Sequence, residues 1–278
     1  MSTPAAPALT WSLRGRSPDD IPVTAAGLEG TPQWAWGGST GRGVRVCVVD
    51  SGVERDHPLV GPLAGSYVVL RDADGTTRVE PTESGDTCGH GTACAGIIRR
   101  TAPDCELSSV RVLGERFSGT GDVLLAGLRW AVEQRFDVIN LSLSTTRPKF
   151  AEALRSLADD AAFAGSAIVA SAHNTPVESF PWRFSSVISV GSHQEEDAEL
   201  YLYNPNPPVE FFAPGQNVTV PWLGGATIRT TGNSFATPYI AGLCARALAK
   251  HPSLTTFGLK TALYLAAANV HVTNRGGE

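Results

Sequence analysis

"VRVCVVD", residues 44–50, is a nearly continuous run of apolar and β-branched residues that ends in an aspartate. Runs of this kind are typical of strands that are buried on both faces, as in a parallel sheet. Outward from it, strand-like runs alternate with segments of helical spacing. The predicted strands are residues 44–50, 106–113, 137–144, 166–172 and 186–192, and the predicted helices are residues 90–100, 120–135, 149–165 and 233–251. This alternation predicts an α/β fold with three layers, α/β/α, around a mostly parallel central sheet.

The length and composition of the chain fit one domain. It has 278 residues, of which 42% are hydrophobic and 18% are charged, and this is enough to bury one sizeable core. No linker and no internal repeat interrupts the alternation of strands and helices. We therefore predict a single domain over residues 41–278, with the Pro-rich residues 1–40 as an arm that packs on it.

Charge and hydropathy argue against two classes of partner. The formal net charge is −5 and no cluster of Lys and Arg is present, so we predict no nucleic-acid partner. No segment approaches the roughly 18 apolar residues that span a membrane.

Residues 1–20 lack the pattern of a secretory signal, and five cysteines, an odd number, do not suggest a disulfide framework. We predict a cytoplasmic protein, unless the chain is the trimmed mature form of a secreted one.

Several polar residues fall at one edge of the predicted sheet, where functional groups gather in α/β folds. They end a strand, follow one, or open a helix: Asp50, His90, Ser142, Ser144, Asn174 and Ser234. Hydrolysis of an amide needs a nucleophile, a base and a group that orients the base, and Ser234, His90 and Asp50 are residues of these types. Their order along the chain, Asp, His, Ser, is the order found in subtilisin.

Three motifs carry a resemblance to the subtilases, peptidase family S8. "VVDSGVERDHP" resembles the aspartate motif of that family, "GHGTACAG" the histidine motif and "GNSFATPYIAG" the serine motif, and "FFAPG" also fits. The resemblance covers residues 41 to about 251. It implies a subtilisin-like fold and a serine endopeptidase that forms an acyl-enzyme. Each motif alone has a structural alternative, because Asp50 and Ser234 could be helix caps and His90 a structural histidine.

The resemblance also implies roles for the site residues. Ser234 is the nucleophile, His90 the general base and Asp50 the residue that orients the imidazole. Asn174 would donate to the oxyanion beside the backbone N–H of Ser234. The alternative for Asn174 is a turn residue, since Asn-Thr-Pro is turn-prone. In the serine motif, Asn233 and Phe235 replace the usual Thr and Met. Pro238 is expected in the first helical turn, where a missing N–H costs little.

Two segments resemble those with which subtilases bind a peptide or protein substrate as an added strand. The candidate substrate-binding residues in them are Leu113, Gly114, Ser142, Leu143 and Ser144. Glu178 follows Asn174 in the segment that normally walls the primary specificity pocket, and Trp182 replaces a residue that is typically small. The carboxylate of Glu178 either favours a basic substrate side chain or is a solvated surface group.

No metal or other cofactor is predicted. Subtilases often bind calcium through an acid after the His-Pro of the aspartate motif, where this chain has Leu59, and through a loop after the histidine helix that is missing here. Cys94 lies one helical turn after His90 and is interpreted as a small buried side chain. A zinc site formed by Cys88, His90 and Cys94 is the alternative, although no fourth ligand is evident.

The sequence leaves three functions open. The first is a serine endopeptidase, intracellular or involved in processing and maturation. The second is a transpeptidase or macrocyclase, in which an amine intercepts the same acyl-enzyme. The third belongs to another class, a pseudoprotease that binds peptides without cutting them, and the intact Asp, His and Ser argue against it.

Overall fold

The computed structural model describes residues 30–115, 118–194, 197 and 199–271. The strands are β1 Arg45–Asp50, β2 Gly65–Arg71, β3 Thr77–Pro81, β4 Glu106–Arg111, β5 Val138–Leu141, β6 Ala167–Ser171, β7 Ile188–His193, β8 Leu202–Tyr203, β9 Phe211–Pro214 and, as a separate antiparallel pair, β10 Val218–Trp222 and β11 Ala226–Thr230. The first nine form one sheet in the order β3-β2-β4-β1-β5-β6-β7-β9-β8. The seven inner strands of this sheet are parallel to one another, and the edge strands β3 and β8 are antiparallel to them.

Helices cover both faces of this sheet. They are α1 Pro32–Ala35, α2 His90–Thr101, α3 Gly121–Glu133, α4 Ala151–Phe163, α5 Asn233–Lys250 and α6 Thr256–Ala266. Residues of α2, α5 and α6 share one buried cluster, and residues of α3 and α4 share the other. The predicted three-layer α/β/α fold with a mostly parallel sheet is therefore confirmed. Of the helices in the described ranges, none is both long and apolar enough to cross a membrane.

Strand β1 contributes to both cores, which explains its unbroken apolar sequence. Val46 and Val48 belong to the cluster under α2 and α5, whereas Cys47 and Val49 belong to the cluster under α3 and α4. Successive side chains of a strand point to opposite faces, so a strand covered on both faces needs apolar residues throughout. The same argument applies to β5 and β6, all of whose residues are buried.

Chain order places the end of β1 at a switch point of the sheet. β4 lies on one side of β1 and β5 lies on the other, so the connections that leave this region run in opposite directions. In open α/β sheets, such a point opens a crevice at the carboxyl ends of the strands. Asp50, the last residue of β1, lies there.

Residues 1–29 of the predicted arm lie outside the described residues, and its division from the domain stays a prediction. The described end of this segment contacts the body. The rings of Trp34 and His251 stack with centroids 4.3 Å apart, and Lys250 Nζ donates to the carbonyl of Gly37 at 3.1 Å.

Candidate active site

The start of α2 holds His90 against the end of β1. Gly89 is the N-cap and has a φ of 91°, a left-handed conformation that favours glycine. Gly91 lies so close to the turn after β1 that an added Cβ would meet the carbonyl oxygen of Gly52 at 2.0 Å. The glycines on both sides of His90 therefore let the helix begin directly beside Asp50.

His90 and Asp50 form a buried hydrogen-bonded pair. His90 Nδ1 lies 2.8 Å from Oδ1 of Asp50, and Asp50 is fully buried. Burial alone would lower the pKa of His90, but the negative charge of Asp50 and its hydrogen bond outweigh that effect. The pKa of His90 therefore lies well above its ordinary value of 6.5.

This pKa direction predicts the acid limb of the pH profile. A protonated imidazole cannot accept a proton from Ser234, so kcat/KM should fall as the pH is lowered through a midpoint above 6.5. The same shift stabilises the folded chain fully below the unfolded-state pKa of about 6.5, and this stabilisation is lost as the pH rises through the folded-state pKa. The ion pair of protonated His90 with Asp50 therefore stabilises the folded chain at the low pH at which activity is expected to be lost. Kinetics with a peptide substrate, with circular dichroism at each pH, measures both; a midpoint below 6.5 in folded protein would contradict the assignment.

Helix α5 positions Ser234 as its second residue, after the N-cap Gly232. Pro238 lies inside this helix and not in its first turn, which corrects the expectation from the sequence. Its missing N–H would have bonded the carbonyl of Ser234, four residues earlier. The thiol of Cys94 approaches that carbonyl instead, with Sγ 3.7 Å from the oxygen, and so supplies a weak donor where the helix lacks one.

Cys94 lies next to both His90 and Asp50 and is fully buried. Its Sγ is 4.0 Å from Nδ1 of His90 and 4.0 Å from Oδ2 of Asp50. Within the described ranges these three residues form a group whose potential metal ligands lie within 4.8 Å of one another, and Cys88 does not belong to it. Burial raises the pKa of the Cys94 thiol, so the less reactive protonated form predominates at neutral pH.

A mercurial is therefore expected to inactivate the protein slowly, by binding Cys94 and separating His90 from Asp50. We expect the loss of activity with p-chloromercuribenzoate to be time-dependent and Cys94→Ala to resist it. Cys88→Ala is the matched control, because the half-buried Cys88 lies outside the group of three and its removal should leave the inhibition intact. Equal inhibition of the parent protein and Cys94→Ala would show that Cys94 is not the target.

Asp86 organises the approach to His90, and the sequence motifs did not reveal it. Its two carboxylate oxygens accept hydrogen bonds of 2.7–3.0 Å from the hydroxyls of Ser51 and Thr92 and from the backbone N–H groups of Cys88, Gly89 and Thr92. Gly89 has no side chain to cap α2, so Asp86 accepts from the N–H of the N-cap Gly89 and from that of Thr92, the third residue of the helix, and its charge matches the helix dipole. The spacing Asp-x-x-Gly-His was the available clue in the sequence.

Asn174 contacts the start of α5. Its Oδ1 accepts from the backbone N–H of Asn233 at 2.9 Å. This bond sets the orientation of the carboxamide, so that Nδ2 is the atom with which Asn174 can donate to a ligand. The N–H of Ser234 belongs to the first turn of the helix, where N–H groups have no acceptor within the helix. Two donors are thus available beside the Ser234 hydroxyl.

A cavity of about 380 Å³ brings these groups together. Of the predicted site residues, it is lined by His90, Leu113, Ser142, Leu143, Ser144, Asn174 and Ser234, with Asp50 behind His90. The structure differs at Gly114, which is not among the lining residues and whose N–H donates to the carbonyl of Ser118 at 2.8 Å. The chain turns back there, so Gly119, Thr120 and Gly121 line the cavity instead.

Glu178 does not reach this cavity. Its Oε1 lies 3.2 Å from Nη1 of Arg183, and the two side chains border a separate cavity on the far side of Asn174. Trp182 is buried and donates to the hydroxyl of Ser179 at 2.8 Å. The described residues that line the cavity of Ser234 include no Asp, Glu, Lys or Arg. Of the two interpretations of Glu178, the surface carboxylate fits this arrangement.

Arg99 joins the two segments through which subtilases often bind calcium, where none is predicted in this chain. Residues 102–105 connect α2 directly to β4, and Leu59 is 53% exposed. The guanidinium of Arg99 donates to four backbone carbonyl oxygens at 2.8–3.0 Å, those of Val60, Pro62, Pro103 and Cys105. A cationic side chain of the protein itself therefore ties the loop after the aspartate motif to the end of the histidine helix.

Comparisons with known proteins agree on one family. A family model described as "Subtilase family" matches residues 41–277. Subtilisin E of Bacillus subtilis (strain 168) is 30% identical over 248 residues, which are 82% of this chain and 62% of that protein, so the chain spans less than two thirds of its length. An intracellular serine protease of Paenibacillus polymyxa is 32% identical over 227 residues, 76% of this chain and 68% of that protein.

A solved structure supports the same relationship. The crystal structure of a cold-adapted subtilisin-like serine proteinase superposes with a TM-score of 0.67 at 27% sequence identity. The match covers 82% of this chain and 83% of that one. The similarity therefore extends over the sheet and its helices and is not limited to the three short motifs.

Proposed function

The chain belongs to the subtilase family of serine endopeptidases, and on that premise we propose that it hydrolyses peptide bonds through Asp50, His90 and Ser234. Membership of this family, which three sequence motifs predicted, is thereby confirmed. The hydrogen bond of 2.8 Å between His90 Nδ1 and the buried Asp50 is the observation that carries the proposal. It orients an imidazole of raised pKa towards the cavity that Ser234 lines.

The proposed reaction follows from this arrangement. Ser234 Oγ attacks the scissile carbonyl carbon while His90 Nε2 takes the hydroxyl proton, and Asp50 stabilises the resulting imidazolium. Nδ2 of Asn174 and the N–H of Ser234 donate to the oxyanion. His90 then gives its proton to the leaving amine as the carbon–nitrogen bond breaks. Water hydrolyses the acyl-enzyme by the same steps and restores the serine.

The substrate is an extended peptide that lies between two segments of the cavity. Leu113 lies on one side of the cavity, and Ser142 to Ser144 continue from β5 on the other. Two segments that flank a cavity in this way can bind an extended peptide as an added strand, through backbone hydrogen bonds. Because no charged Asp, Glu, Lys or Arg of the described residues lines the cavity, uncharged side chains should be preferred at the bond that is cut.

A peptide library analysed by mass spectrometry tests this function. We expect the chain to cut internal peptide bonds without selecting Lys or Arg, and we expect His90→Ala to cut none at the same protein concentration. Glycine amide added to the reaction separates hydrolysis from transpeptidation, since a transpeptidase would yield amide-extended products in place of acids. Binding of peptides without cleavage by a folded chain would favour the peptide-binding alternative and overturn the proposal.

We propose an intracellular or processing role as the setting for this activity. The relative from Paenibacillus polymyxa named as an intracellular serine protease supports it, and all five cysteines are free thiols. Free thiols are typical of a reducing compartment. Fractionation of cells that produce the chain, followed by activity measurement with and without His90→Ala, gives the location directly.

A further inference from the structure

Asn233, the first residue of α5, uses every hydrogen-bonding position of its side chain. Its Oδ1 accepts from the backbone N–H of Ser192 at 2.9 Å and from the hydroxyl of Ser192 at 2.8 Å. Its Nδ2 donates to the carbonyl oxygens of Ala172 at 3.3 Å and His173 at 3.2 Å. A carboxamide has two acceptor and two donor positions, so all four are occupied.

These partners allow one orientation of the carboxamide. A reversed amide would set its NH₂ against the N–H of Ser192 and its oxygen against two carbonyls. Ser192 belongs to β7, and Ala172 directly follows β6. Asn233 therefore fixes the start of α5 to the carboxyl ends of two neighbouring strands.

Asn174 is held twice by this single residue. The backbone N–H of Asn233 donates to Oδ1 of Asn174, and the side chain of Asn233 holds the carbonyl of His173, the residue before Asn174. Both the backbone that leads to Asn174 and its carboxamide are thus tied to residue 233. Ser234 follows immediately and carries the nucleophile and the second oxyanion donor.

We propose that Asn233 is a positioning residue that sets the distance and direction between Nδ2 of Asn174 and the N–H of Ser234. Both donors must point at one oxygen when the oxyanion forms, and small displacements weaken that interaction. Threonine, which the family usually has here, carries a single hydroxyl and cannot make four side-chain bonds to three residues. The inference rests on the proposed function, because it assigns a role within that same site.

A double-mutant cycle between Asn233→Ala and Asn174→Ala tests the role. Loss of the oxyanion asparagine costs about 10²–10³ in kcat in subtilisin, and we expect a similar loss for Asn174→Ala. Asn233→Ala should lower kcat by about 10- to 100-fold with little change in KM, as expected when a catalytic group is displaced. In the Asn174→Ala background, the same substitution should lower kcat less than about 3-fold, because the group it positions is already gone.

The cycle also contains the result that would overturn the inference. If Asn233→Ala lowers kcat by the same factor in both backgrounds, or raises KM alone, it does not act through Asn174. Ser192→Ala removes one donor to Asn233 and leaves the main chain unchanged; it should show the same non-additivity in a smaller effect, and it takes the place of Asn233→Ala if that variant does not fold. Absence of peptide cleavage by the parent chain would contradict the proposed function, whereas cleavage with additive effects would contradict only the role of Asn233.

Discussion

Ser234→Ala is expected to lower kcat by about 10⁶-fold, the loss that subtilisin suffers when its catalytic serine is removed. The substitution deletes the only atom that forms the bond to the scissile carbon in the proposed reaction. The fold should not change, because Ser234 is half-buried and alanine favours a helix. Stopped-time assays with a cleavable peptide at high enzyme concentration measure the residual rate.

Combining Ser234→Ala with His90→Ala tests whether the two residues act together. His90→Ala should cause a loss of similar size, and Ser234→Ala with His90→Ala should be no worse than either alone, because the residues act as a unit. Ser185→Ala is the matched control, since the side chain of Ser185 is exposed and does not line the cavity. Independent, multiplying losses for Ser234 and His90 would contradict their joint action.

Arg99→Ala is expected to cause a large loss of stability for a side chain at the protein surface. The guanidinium donates to four carbonyls, two of them in partly buried hydrogen bonds. A hydrogen bond to a charged group contributes about 1.5–3 kcal/mol, and solvent compensates the exposed pair. Because the other two bonds are only partly buried, solvent also replaces part of their contribution, so the free energy of unfolding should fall by roughly 2–4 kcal/mol. Urea denaturation followed by fluorescence measures this difference.

Thermal melting of the parent chain in a chelator addresses calcium. If Arg99 stabilises the two segments that calcium joins in related proteins, excess EDTA should leave the melting temperature of the parent chain unchanged. Arg129→Ala is the control for loss of a positive charge; Arg129 is exposed on α3, and we expect less than about 0.5 kcal/mol. A parent chain that melts earlier in EDTA, or an Arg99→Ala variant as stable as the control, would contradict the assignment.

The sequence predicted those parts of the fold that depend on local patterns. The apolar runs at β1, β5, β6 and β7 and the periodic segments of α2 to α5 were found because burial on both faces, or on one helical face, leaves a clear pattern. The hairpin of β2 and β3, the pair β10 and β11, and α6 were not predicted. The strands of these two pairs are half-exposed and have weaker patterns than strands that are buried on both faces.

The sequence predicted the site residues that belong to a recognisable motif or follow a predicted strand. His90, Asn174 and Ser234 line one cavity, and Asp50 forms a hydrogen bond with His90. Gly114 does not line this cavity whereas Gly119–Gly121 do, because the path of the loop decides which glycine faces the cavity. The contacts by which Arg99 and Asn233 join distant segments were not predictable, because no local spacing indicates which carbonyl or N–H a polar side chain will meet. The spacing Asp-x-x-Gly-His placed Asp86 near the start of α2, but it did not indicate the hydrogen bond with Ser51, 35 residues earlier.

The central claim is that His90 activates Ser234 as a nucleophile. Reaction with a fluorophosphonate tests it most directly, because the reagent phosphonylates an activated serine hydroxyl and spares ordinary ones. Intact mass spectrometry and peptide mapping of the folded chain should show one adduct, on Ser234. The adduct should be absent in Ser234→Ala and should form far more slowly in His90→Ala. No adduct on the folded parent chain, or an adduct on another serine, would contradict the claim.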